Sequence, residues 1–333
     1  MPNLFTKVEM PAISSEILHS DKIMLMGSCF ADNIGERLKS AKFNCLANPF
    51  GTLYNPLSIS QALRQVISGR IYREGNEELF RGNDGLWHSW MHHSRFSSAD
   101  MSECISTINS SISKASFQLK DIDKLIITFG SSWVYRLKQN GSVVANCHKQ
   151  NDKLFNRERL TPEEIVSEWN TLVSELKTMS PKLEIIFTVS PIRHRKDGFH
   201  ANQLSKAGLL LAVDSICSSN SSFCSYFPAY EIMMDELRDY RFYADDMLHP
   251  SSIAVDYIWE LFSGCFFSPS TVKLSDECRA IQTALAHKPF APESEAYEKF
   301  IQNTKNKIIK LTENHPYINM DEELSLCNTR LNK

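Results

Sequence analysis

The chain has 333 residues, enough for about two domains or for one large α/β domain with an extension. Lys plus Arg number 36 and Asp plus Glu 39, and a net charge of −3 argues against the basic face of a dedicated nucleic-acid binder. A hydrophobic fraction of 42% with 23% charged residues excludes disorder as the main state.

No apolar run approaches the roughly 18 residues of a membrane span; the best candidate, Ala207 to Val213, is far shorter. The opening MPNLFTKVEMP lacks a charged segment followed by an apolar one, so no signal peptide is expected. The nine cysteines are scattered and form no CxxC pair, which favours reduced thiols over a disulfide framework or a zinc ribbon. The expectation is a cytoplasmic protein with no membrane or nucleic-acid partner.

In chain order, Asp21 to Gly27 is a short apolar run ending in glycine and is predicted as a buried strand. Ala31 to Ser40 follows as a helix, and Phe43 to Ala47 as a second strand before the loop NPFGTLYNP (48–56). Ser58 to Ser68 is helical in pattern. Residues 69–98 are polar, aromatic and irregular, and predict either an excursion over a site or a small packed subdomain. Met101 to Phe117 is a helix and Lys124 to Gly130 a strand. Asn140-Gly141 predicts a hairpin spanning about 132–147. Thr161-Pro162-Glu163-Glu164 opens a helix running to about Met179, with an N-cap and proline in the first turn. Leu183 to Ser190 is another strand; Gln203 to Ser218 and Ser251 to Phe262 are helices.

This alternation predicts an α/β fold with a mainly parallel sheet covered on both faces. The ligand crevice of such a sheet lies beyond the carboxyl ends of its strands. Gly27-Ser28, Gly130-Ser131 and Ser190-Pro191 all fall there. From about residue 269 the pattern changes to helices balanced in charge, so the domains expected are 1–268 and a helical extension, 269–333.

Ser28 follows a strand and precedes a helix. Its hydroxyl is either a nucleophile exposed at the sheet edge, with the Cys29 N–H as the first oxyanion donor, or the cap of the next helix. Asp246 and His249, three apart before a helix, favour the first reading, because the carboxylate orients the imidazole that takes the serine proton. Asp245 competes with Asp246 for that role, and the i, i+3 spacing favours Asp246. A Cys29 thiolate at a helix N-terminus is the lesser alternative. His194 and Tyr230 are candidate substrate-binding residues; Arg193, Arg195 and Lys196 form either a cationic wall or a solvated loop. His88, His92 and His93 have no acidic partner within the run and predict structure or substrate cover rather than a metal site. No phosphate-binding glycine motif is present, and no cofactor is expected.

Gly27-Ser28-Cys29-Phe30-Ala31 resembles the signature of the GSCFA family, which belongs with the SGNH (GDSL-like) hydrolases. The resemblance continues through NPFGTLYNP (48–56), TFGSSWVY (128–135), TVSPIRHRKDG (188–198), NQLSKAGL (202–209), YFPAYEIMMDELRDYRFY (226–243) and DDMLHPS (245–251). It implies a three-layer α/β/α sandwich and a Ser28-Asp246-His249 site, with Gly51 supplying a second oxyanion N–H. Where the superfamily has an asparagine donor, Ser132 stands here. A hydroxyl is a shorter and less rigid donor, and losing one oxyanion donor costs about 2.7–4 kcal/mol. The expected activity is hydrolysis of an ester, such as an O-acyl carbohydrate, through an acyl-enzyme. With a sugar acceptor the same site would be an acyltransferase; with weakened chemistry it would be a binding module.

Overall fold

In the computed structural model, which describes residues 6–11 and 16–331, a five-stranded parallel sheet forms the centre of the chain. The strands in chain order are β1 (Lys22–Gly27), β2 (Asn44–Ala47), β3 (Leu79–Arg81), β4 (Trp87–Ser89), β5 (Lys124–Phe129), β6 (Trp133–Leu137), β7 (Val143–Val144), β8 (Phe155–Arg159), β9 (Glu184–Val189) and β10 (Cys224–Phe227). The helices are α1 (Cys29–Ser40), α2 (Pro56–Ser68), α3 (Met101–Leu119), α4 (Pro162–Met179), α5 (Phe199–Ser219), the short α6 (Ala229–Glu231), α7 (Ser252–Phe266), α8 (Pro269–Ala286), α9 (Glu295–Asn314) and α10 (Asp321–Leu331).

The main sheet has the order β10-β9-β5-β1-β2. The central strands β9, β5 and β1 are buried on both faces, so they read as apolar runs rather than alternations. Met24 and Met26 of β1, Leu125 and Ile127 of β5, and Ile185 and Phe187 of β9 face a core shared with α2, α3, α4 and α5. Their neighbours Ile23, Leu25, Ile126 and Ile186 face a second core under α1 and α7. The architecture is the expected α/β/α sandwich. The strand order reverses direction between β1 and β5, and that point is where a crevice opens in sheets of this kind.

Two glycines fix the chain there. Gly27 has φ +142, and a Cβ on it would sit 2.1 Å from the Thr128 carbonyl oxygen of β5. Gly51 has φ +81, and a Cβ would meet His93 Cβ at 2.2 Å. Both positions therefore require the missing side chain.

The excursion at 69–98 is packed. It forms the β3–β4 hairpin, and Phe80 stacks on Trp90 at 3.6 Å between ring centroids. The 132–147 hairpin is present as β6 and β7, and β8, which the sequence pattern did not signal, completes a second sheet with the order β7-β6-β8. Beyond α7, helices α8, α9 and α10 bury Cys278, Ile281, Ile301, Ile308 and Cys327 in a core of their own. Among the described residues, no helix is long and apolar enough to cross a membrane.

Candidate active site

β1 ends at Gly27, and Ser28 begins the turn into α1. Its hydroxyl accepts from the Phe30 N–H at 3.3 Å, its own N–H donates to the Thr128 carbonyl at 3.2 Å, and the residue is fully buried. In this structure Ser28 is the N-cap of α1, the second of the two roles its position allows. The next residue turns outward. Cys29, the first residue of α1, lines a cavity of about 660 Å³ at the carboxyl edge of the sheet.

That cavity is bounded by the β1–α1 turn, the 52–55 loop, Ser131 after β5, the 192–196 segment after β9, and the inner face of the small sheet. His249 reaches it from the loop before α7. Asp246 holds the imidazole: its Oδ2 accepts from His249 Nδ1 at 2.5 Å, and its Oδ1 accepts from the Leu248 and His249 amides, each at 2.9 Å. A carboxylate only accepts, so Nδ1 carries a hydrogen, and in the neutral ring it is Nε2 that holds the lone pair. The two amides and the imidazole hold the Asp246 carboxyl down at about 2. Met247 adopts φ +59 to close this tight loop. The carboxylate in contact with the imidazole is thus Asp246, not Asp245.

Burial pushes the Cys29 thiol up to about 11, and the adjacent Asp32 carboxylate raises it too. Its own amide, the Phe30 amide and the Lys206 charge pull the other way. The group rests as a thiol at neutral pH and needs a base to become a nucleophile.

A GSCFA family model matches residues 22–262, which hold all of these groups, and a model of the GSCFA domain protein C-terminal domain matches residues 278–333. The chain belongs to the GSCFA family. No curated protein matches it. Among solved structures it is similar to an acetyl xylan esterase from the rumen bacterium Butyrivibrio proteoclasticus, at 10% identity and a TM-score of 0.37. That match covers 74% of this chain and 64% of the esterase, so the chain spans less than two thirds of its length.

The remaining expected site residues of this GSCFA chain divide into those the cavity includes and those it does not. The Gly51 N–H donates to the Asn48 carbonyl at 2.8 Å, so it closes a turn and is not free for an oxyanion. Ser132 is fully buried; its N–H and hydroxyl both meet the Ser205 hydroxyl of α5, at 2.8 and 3.0 Å. Its neighbour Ser131 is the one in the cavity wall. Tyr230 lies outside the wall: its hydroxyl donates to Gln203 Oε1 at 2.7 Å and its ring packs in the core. His194 does line the cavity, edge-on to Tyr54, and burial holds its imidazole down at about 4. The 69–98 segment contributes His93. His88 bonds Ser97 and Asp84, and His92 stacks on Phe50 at 4.6 Å. No group of metal-ligating side chains occurs among the described residues.

One group was missed by the sequence reading. Lys206 of α5 is 1% exposed, and its Nζ donates to the carbonyls of Gly130 and Ser190, both at 2.7 Å. It clamps the carboxyl ends of β5 and β9 directly behind the cavity. No carboxylate faces it among the described residues, and burial holds its amine down at about 7. The sequence did hold a signal: Asn202, Ser205, Lys206 and Leu209 share one buried helix face, and three polar residues on a core face need a reason.

Proposed function

We propose that this GSCFA protein transfers acyl groups through a covalent intermediate on Cys29, with His249 as general base and Asp246 as the group that orients it. The observation that carries this reading is that Cys29 and His249 line one cavity while the Ser28 hydroxyl is buried. His249 Nε2 takes the thiol proton as sulfur attacks the ester carbonyl. The oxyanion forms beside the Cys29 N–H at the α1 N-terminus. Collapse expels the alkoxide, which takes the proton from the imidazolium and leaves a thioester. Water, activated by the same imidazole, attacks the thioester carbonyl; the acid departs and the thiol is restored. A carbohydrate hydroxyl in place of water makes the same steps a transferase reaction.

Hydrolysis of p-nitrophenyl acetate tests the assignment. Cys29→Ala is expected to lose at least about 10³-fold in kcat/KM, and His249→Ala about 10²–10⁴-fold. Ser28→Ala is expected to keep turnover and lose about 1 kcal/mol of stability with the cap. Loss of turnover in folded Ser28→Ala, with Cys29→Ala still active, would return the nucleophile to the serine.

A further inference from the structure

The cavity carries a charge pattern that cleavage of a neutral ester does not need. Its wall gathers Lys149, Arg157, Arg193, Arg195 and Lys196 against a single carboxylate, Asp152. The chain as a whole is net negative, so this is a local concentration and not a reflection of composition. The partners of these cations are mostly uncharged. Lys196 donates to the Tyr135 hydroxyl. Arg193 donates to the Met247 carbonyl at 3.3 Å and lies over the Phe199 ring at 4.2 Å. Arg157 pairs with Asp197. Arg195 has no carboxylate partner among the described residues.

A cleft lined by one sign of charge concentrates ligands of the opposite sign.

We infer that the ligand of this cavity carries an anionic group, a carboxylate or a phosphate, separate from the bond that is broken, and that Arg195 and Lys196 receive it. The inference rests on the acyl-transfer reading only for which bond breaks; the anion subsite stands on the wall itself. It names the substrate class as acidic acyl esters, or esters whose leaving group is acidic.

The test is equilibrium binding to the full chain by ligand-observed NMR. Two pairs of probes are used, each an anion beside its neutral counterpart: succinamate with succinamide, and phenyl phosphate with phenol. At least one anion is expected to bind about tenfold more tightly than its counterpart, with the preference falling as salt rises. Arg195 and Lys196 are both exposed, so Arg195→Gln with Lys196→Gln leaves the core intact and should bring the preference below about twofold. The pair with the larger preference identifies the anion. Equal binding within both pairs, no binding of either anion at tens of millimolar, or a preference unchanged in the double variant overturns the inference. Ester turnover with no anion preference sinks this inference alone. Anion preference in a protein that never acylates sinks the acyl-transfer reading alone.

Discussion

At the scale of single residues, the site is organised by which way two neighbours point. A strand that ends and turns straight into a helix sends consecutive side chains in opposite directions, so of Ser28 and Cys29 only one reaches the cavity. The same offset recurs at Ser131 and Ser132. Lys206 sits behind both turns with a charge that burial disfavours. Its native amine is held at about 7, below the ordinary lysine range of about 10.4 in an unfolded chain. Between those values the unfolded chain binds the extra proton, so this group makes stability rise with pH from about 7 and level off near the unfolded value. Measured as wild type minus Lys206→Met by urea unfolding, which cancels the opposing contribution of buried thiols, stability should rise by about 2 kcal/mol between pH 7 and 9. A flat difference would mean that the amine is solvated or paired.

At the scale of elements, the 193–197 segment after β9 depends on α5. Asn202 Oδ1 accepts from the His194 N–H at 2.9 Å, and Asn202 is 4% exposed. Asn202→Ala leaves that amide without its partner and is expected to cost about 1–3 kcal/mol. The lost anchor should also speed amide hydrogen exchange across 193–197 before the sheet strands are affected; uniform protection in the variant would contradict the anchoring role.

The legibility of the elements follows from how they are stabilised. β1, β5 and β9 showed as apolar runs because both of their faces are buried, whereas β2, at the sheet edge, is only partly buried. β10 escaped notice because CSYF is short and partly polar at the sheet edge. β8, with FNRER, has no apolar pattern of its own and exists through its pairing with β6. In the site, the Asp246–His249 pair was legible because it is local, three residues apart in one loop. The identity of the residue that reaches the cavity was not, because one step along the chain at a strand end changes direction without changing composition. Lys206 was hidden because its partners, Gly130 and Ser190, are carbonyls 76 and 16 residues away in sequence.

At the scale of the whole molecule, α8, α9 and α10 build a core of their own, and an ion pair ties α10 to the turn between α1 and β2. Lys42 pairs with Glu323 of α10 at 2.5 Å, with side chains only 14% and 11% exposed. Lys42→Ala leaves a nearly buried carboxylate without its cation and should cost about 3–5 kcal/mol. Lys42→Met with Glu323→Leu should recover most of that loss, because the desolvation cost disappears with the charges. Chemical denaturation of the single and double variants measures both. A double variant no more stable than Lys42→Ala would show that the pair is needed for more than its own neutralisation. Neither change touches the cavity, so kcat/KM should be unaltered in folded protein.

The most direct test of the site is to trap the acyl group. Intact-protein mass spectrometry after brief exposure to p-nitrophenyl acetate, followed by peptide mapping, is expected to find a single acetyl group on Cys29 that neutral hydroxylamine removes as a thioester. The adduct should fail to form in His249→Ala. An acetyl group on Ser28, or no stoichiometric adduct on folded wild-type protein, would contradict the assignment of Cys29 as nucleophile.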